Sequence, residues 1–177
     1  MVVTFVMSGA ACGGSKSSSN QGGTQSESAP TLTATATLAP TQGSSVSGTV
    51  TFEQTADGVR VFAVLSGLTP GEHGFHVHEI GDCSSPDGSA AGAHFNPAGM
   101  AHGGPDADPH HMGDLGNITA DSTGHATYDR VDAHLALDGA NSIVGRAVIV
   151  HEKADDMTSQ PAGAAGARLA CGVIELR

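Results

Sequence analysis

From Thr31 onward, apolar and polar residues alternate in short runs separated by turn formers. Side chains alternate across a strand, so period-2 runs mark strands with one buried face. The pattern predicts strands over 32–39, 47–54, 59–66, 73–79, 124–131, 143–150 and 169–176, with a weaker one near 133–137. In FEQTADGVRVFAVLSGL, Asp57-Gly58 separates two β-rich runs, and Val59, Val61 and Ala63 alternate with Arg60 and Phe62, which reads as a hairpin. No stretch carries a helical period. About eight antiparallel strands point to an all-β fold, a Greek-key barrel or sandwich.

Two segments, 80–123 and 152–168, lack strand character. Structureless loops of that length inside a compact domain are usually functional or pinned by something. Ahead of the strands, residues 13–30, GGSKSSSNQGGTQSESAP, hold almost nothing to bury and are expected to form a flexible linker. Residues 1–12, MVVTFVMSGAAC, open with a short apolar run and end in small residues and Cys12. That is the shape of a signal peptide's end, too short to span a bilayer. It is similar to a bacterial lipoprotein signal, in which such a cysteine is lipidated, although Gly9 stands where Leu is usual and no Lys or Arg lies near Met1. The expectation is an exported protein of the periplasm or cell envelope, tethered through a lipid on Cys12. The rest, 31–177, is expected to be one domain, because two halves would each have a marginal core.

Composition narrows the partners. Aromatic residues make up 3%, Trp is absent and Gly reaches 25, so the core must be built from Val, Ile, Leu, Ala and a few Phe. The net charge is −11 with seven Lys and Arg, which argues against nucleic acid and anionic membrane surfaces as partners, because no basic patch exists to neutralise phosphates.

The chemistry lies in the histidines. Of ten, seven fall between His73 and His111: His73, His76, His78, His94, His102, His110 and His111. In GFHVHEIGDC, residues 74–83, His76 and His78 share one strand face, so both imidazoles can reach one metal ion. His94, His102, His111 and Asp114 form an N/O donor set suited to tetrahedral Zn²⁺. His76 and His78, with His151 far along the chain, form an imidazole set suited to copper or zinc.

Together GFHVHEIGDC, HFNP, HGGP, MGDLGNITAD, VGRAVIVHEKADD and GARLACGVIEL, in that order, resemble the copper–zinc superoxide dismutase family over roughly residues 31–177. The resemblance implies an eight-stranded Greek-key barrel with two long metal-site loops, one copper and one zinc per chain, and dismutation of superoxide to dioxygen and hydrogen peroxide. It implies His76, His78, His94 and His151 as copper ligands, and His94, His102, His111 and Asp114 as zinc ligands, with His94 bridging. His111 is taken over His110 because the family's His-x-Gly-Asp-Leu-Gly-Asn run reads here from His111 to Asn117. Asp155 matches a carboxylate linking a ligand histidine of each metal, and His73 a structural histidine bonded to backbone near copper. His125 and His134 match no ligand position and are expected at the surface.

The resemblance also implies a Cys83–Cys171 disulfide, which leaves Cys12 for lipid. Arg168 matches an arginine beside copper that docks the anionic substrate, and His94 would carry a proton as the bridge opens. Superoxide is the expected small-molecule substrate, and both a monomer and a homodimer are compatible with the resemblance. The alternative is a periplasmic copper- and zinc-buffering protein without turnover, which has no need of an anion-docking Arg168.

Overall fold

The computed structural model describes residues 1–5 and 31–177, so the Cys12 site and the linker lie outside the described residues. Nine strands follow in order: β1 (Thr33–Pro40), β2 (Ser47–Thr55), β3 (Gly58–Ser66), β4 (Gly71–His78), β5 (Asp114–Ala120), β6 (Ala126–Asp132), β7 (Ala147–His151), β8 (Arg168–Val173) and β9 (Glu175–Leu176). Among the described residues the one helical element is a 3-10 turn, Ser89–Ala91. No helix there is long and apolar enough to cross a membrane.

The first eight strands close into an antiparallel barrel. The sheet runs β2-β3-β6-β5-β4-β7-β8-β1, β1 returns to pair with β2, and β9 adds a short pairing to β1. The order is Greek key, because β3 pairs with β6 and β4 lies between β5 and β7. Alternation drives the closure. On β3, Val59, Val61, Ala63 and Leu65 are buried while Arg60, Phe62 and Val64 face out. Ala34, Ala36, Val50, Phe52, Phe75, Val77, Val148 and Val150 join the same core from neighbouring strands. The closure is narrowest between β5 and β6, which meet through one pair, Ala120 with Ala126, while the other neighbours ladder over longer stretches.

Five details differ from the sequence reading. β5 lies within the segment read as loop, because Asp114, Gly116 and Asn117 interrupt its alternation and Gly116 has φ +77°. Residues 133–137 make bends and one isolated bridge, Ala136 to Ser142, so Leu135 and Leu137 are buried in the core without forming a strand. The 143–150 strand shortens to Ala147–His151, and the last strand divides into β8 and β9 at Ile174. The β2–β3 turn is Ala56-Asp57, since Thr55 pairs with Gly58. Gly58 has φ +134°, and a Cβ there would strike the Asp132 carbonyl on β6.

Two loops, 79–113 and 152–167, cover the outer face of β4 and β7. The first is fastened by the Cys83–Cys171 disulfide, whose Cα atoms lie 5.7 Å apart across 88 residues of sequence. Cys171 packs with Ala91, Ala147 and Ile149 in a second, smaller apolar cluster between loop and barrel. Closing a loop of that length stabilises the folded chain by about 4.6 kcal/mol in the chain-entropy account, before any discount for strain. Cys83→Ser is therefore expected to lower the unfolding free energy by about that amount in denaturant titration of metal-free protein. An unchanged midpoint would mean that the bridge does not constrain the unfolded chain.

Candidate metal centre

Strand alternation builds the first wall of the site. Phe75 and Val77 of β4 enter the core, so His76 and His78 face outward beneath the loops, at 0% and 1% exposure. β7 repeats the pattern, with Val148 and Val150 inward and His151 on the outer face at the strand end. The loop adds His94 by pairing briefly with the end of β4. Phe95 N donates to the Val77 carbonyl at 2.8 Å, and His78 and His94 form an isolated bridge. Phe95 is thereby buried in the core under the Arg146 guanidinium, 3.5 Å from its ring centre, while His94 joins the histidines outside the barrel.

The result is two contiguous donor groups. His76, His78, His94 and His151 present ligand atoms within 4.8 Å of one another, and so do His94, His102, His111 and Asp114. All of these side chains are buried. His94 belongs to both. Its Nδ1 donates to Asp114 Oδ1 at 2.8 Å, while its Nε2 is buried without a hydrogen-bond partner. His76, His78, His102 and His151 follow the same rule, each with one ring nitrogen hydrogen-bonded and the other facing a donor group. His78 Nδ1 donates to the Gly92 carbonyl at 3.0 Å and His151 Nδ1 lies 3.3 Å from the Gly166 carbonyl, leaving their Nε2 atoms 3.4 Å apart.

On the other side, His76 Nε2 and His102 Nε2 donate to the two oxygens of Asp155 at 2.8 and 2.9 Å. Their Nδ1 atoms, with His111 Nδ1, are buried without hydrogen-bond partners. His102 Nδ1 and His111 Nδ1 lie 3.0 and 3.3 Å from Asp114 oxygens, outside hydrogen-bond geometry. Buried polar atoms in native proteins are nearly always paired. A concentration of bare imidazole nitrogens fits metal ligation, with the opposite nitrogen fixing each tautomer. Three imidazoles and a carboxylate suit zinc, and four imidazoles suit copper.

The electrostatics agree. Burial pushes the His76 ring down to about 4 and the His151 ring down to about 3, and lowers His78 strongly, so these rings are neutral and able to ligate at neutral pH. Burial would also lower His102, but the neighbouring Asp114 and Asp155 carboxylates outweigh it and raise that ring to about 9. Burial would raise both carboxyl groups. The histidines around them outweigh it and hold Asp114 and Asp155 well below the usual carboxylate range.

The remaining residues support these groups. His73 Nδ1 donates to the His151 carbonyl at 2.8 Å, and its Nε2 lies 3.2 Å from the Thr69 hydroxyl. Arg168 sends its two terminal nitrogens to the Gly88 and Gly92 carbonyls, each at 2.5 Å, and lines a cavity of about 660 Å³ with His78, His94 and His151. His110 turns away from the donor groups, with Nδ1 donating to the Ala107 carbonyl at 2.6 Å. Two further residues carry no predicted role, although Asn117 closes the run that begins at His111. Asn117 clamps the Asp155 backbone through paired bonds of 2.9 and 2.7 Å, and Gln160 clamps the His102 backbone through bonds of 2.8 and 2.9 Å. Gly163 has φ +64°, and a Cβ there would strike the Asp155 carboxylate.

Comparison with known families agrees with this geometry. The model of the family described as copper/zinc superoxide dismutase matches residues 46–174, which include β2 to β8 and both loops.

A proton exchange follows from the raised His102 ring. In metal-free protein His102 is protonated at neutral pH, and a metal at Nδ1 requires that proton to leave while Nε2–H stays on Asp155. Because the folded ring holds its proton more tightly than an unfolded histidine, this group favours the metal-free fold fully below about pH 6.5 and ceases to as pH rises through about 9. Zinc affinity should accordingly rise by roughly tenfold per pH unit through this group, levelling near pH 9. Calorimetry at pH 7.5 in buffers of different ionisation enthalpy is expected to show about one proton released per zinc from this ring. Zinc uptake without proton release would contradict the assignment.

Proposed function

The chain belongs to the copper/zinc superoxide dismutase family, and from that premise we propose that His76, His78, His94 and His151 hold copper while His94, His102, His111 and Asp114 hold zinc. The family's enzymes dismute superoxide with copper and zinc, and the two buried donor groups fit those metals. The observation carrying the assignment is His94, which turns one nitrogen to Asp114 and leaves the other bare among the remaining histidines. When bound, copper supplies one-electron oxidation and reduction, and zinc supplies a fixed charge without redox chemistry.

The chain's own residues supply the rest. Arg168 lines the same cavity as His78, His94 and His151, and its permanent positive charge docks the superoxide anion there. The loop 157–167 carries no charged residue, so the nearby positive charges are Arg168 and the exposed Lys153. His94 Nε2 is the atom we assign to carrying a proton to substrate. One superoxide departs as dioxygen, and a second takes up two protons and departs as hydrogen peroxide. Asp155 keeps His76 and His102 oriented throughout.

We propose further that the chain is exported and tethered to the cell envelope through Cys12, with 13–30 as the linker and 31–177 as the enzymatic domain. The small-residue run before Cys12 supports this reading. The Cys83–Cys171 disulfide also supports it, because such bridges persist in oxidising compartments.

Pulse radiolysis of protein carrying one copper and one zinc per chain tests the reading. Rapid dismutation that disappears on selective copper removal is expected, whereas full metal content without turnover would identify a metal-buffering protein. A unit charge about 5 Å from the anion, at effective dielectric constants between about 20 and 80, changes its energy by roughly 1 to 3 kcal/mol. Arg168→Ala is therefore expected to lower the second-order rate by about tenfold at matched copper occupancy, and Lys153→Ala by less, since an exposed ammonium is better screened. An Arg168→Ala rate within about twofold of the parent would contradict the docking role.

A further inference from the structure

A second cavity, of about 210 Å³, lies beside the loop that carries His111. Met100, Asp108, His110, Met112 and His134 line it, so two thioethers and two imidazoles share one basin. Neither His110 nor His134 belongs to the buried donor groups.

The two rings meet edge to face, with centroids 4.8 Å apart and planes at 78°. The bond from His110 Nδ1–H to the Ala107 carbonyl fixes the neutral tautomer, which leaves the lone pair on Nε2. That Nε2 is buried and has no hydrogen-bond partner. His78 is arranged in the same way, with a backbone acceptor on Nδ1 and Nε2 left to the donor group. His134 lies in the bend after β6 with an exposed side chain that lines the basin, its Nδ1 3.7 Å from Asp132 Oδ1. Met112 is partly buried against the core, which fixes its base, and Met100 is 42% exposed.

Thioether sulfur with imidazole nitrogen is a soft donor set. It selects copper(I) and discriminates against the hard cations magnesium and calcium, which want oxygen. The Asp108 carboxylate on the rim adds negative charge that attracts a cation. Met100 also lines the larger cavity with His78, His94 and His151, so the two basins adjoin at one side chain.

We propose that Met100, His110, Met112 and His134 form a peripheral copper(I) site, separate from the two buried donor groups and joined through Met100 to the cavity over His78 and His151. The proposal does not rest on dismutase turnover. Its test is a titration of the copper- and zinc-loaded full chain, reduced and anaerobic, with copper(I) against bicinchoninate. Cys12 is changed to Ser so that its thiol cannot compete.

One copper(I) per chain beyond the buried copper is expected, with shifts in the ε-methyl resonances of Met100 and Met112 in ¹³C-methyl spectra. The double substitution His110→Ala, His134→Ala should lose that equivalent while keeping the buried copper and zinc. Met100→Leu with Met112→Leu, which conserves volume, should weaken it at least tenfold even where the alanine pair folds poorly. Absence of the extra equivalent, its persistence in both double variants, or unmoved methionine resonances would each overturn the proposal.

Discussion

Two buried imidazoles on different parts of the chain, His76 on β4 and His102 in the first loop, donate to opposite oxygens of one carboxylate, Asp155. Much of the site depends on that shared anion. Each ring belongs to a different donor group, so a displacement of Asp155 is felt at both. A buried carboxylate is costly unless it is well hydrogen-bonded, and Asp155 accepts from His76, His102 and the Met157 backbone N–H. Asn117, on β5, grips the Asp155 backbone at both its N–H and its carbonyl. Gly163 leaves room for the carboxylate where any side chain would intrude. The second loop is thereby tied to the barrel at the point where it reaches the histidines.

The barrel contributes rigidity and direction. His76, His78 and His151 project from strands whose alternate residues are locked into the core, so their Cβ positions are fixed by packing rather than by loop conformation. His94 and His111 come from the first loop, and that loop is held by the disulfide, by the short pairing with β4 and by Arg168. The Gly92 carbonyl accepts from both Arg168 and His78. Arg168, proposed to dock the anion, and His78, proposed as a copper ligand, are therefore positioned by one backbone group. Sites held by this kind of surrounding shell keep the geometry on which metal affinity depends.

Most of the barrel was legible because alternation is a local property. Val59, Val61 and Ala63 against Arg60 and Phe62 announce a strand before any contact is known. β5 escaped because its first residues serve the site, with Asp114 fixed among histidines and Gly116 at positive φ, and these replace the apolar face that would have marked a strand. Leu135 and Leu137 misled in the opposite sense, being core residues on a bend.

In the site, the pairing of His76 with His78 follows from strand period. The closeness of His76 to Asp155, 79 residues apart, does not follow from any local rule. It was reached through the resemblance between motifs. Asn117 lies inside the run from His111 without a role that the run reveals, and Gln160 lies in no motif, because a polar residue that clamps backbone looks in sequence like any other solvated amide. His110, passed over for His111, and His134, expected at the surface, carry no local signal for a similar reason. Only folding sets them beside Met100 and Met112.

The claim that one carboxylate organises both donor groups can be tested at Asp155 itself. Asp155→Ala removes the acceptor from His76 and His102 together, and chelator competition measures the copper and zinc affinities separately. The account predicts that both fall by about 10- to 100-fold, as the loss of a hydrogen-bonding partner behind a metal ligand typically produces. A loss confined to one metal, or no loss at either, would contradict it.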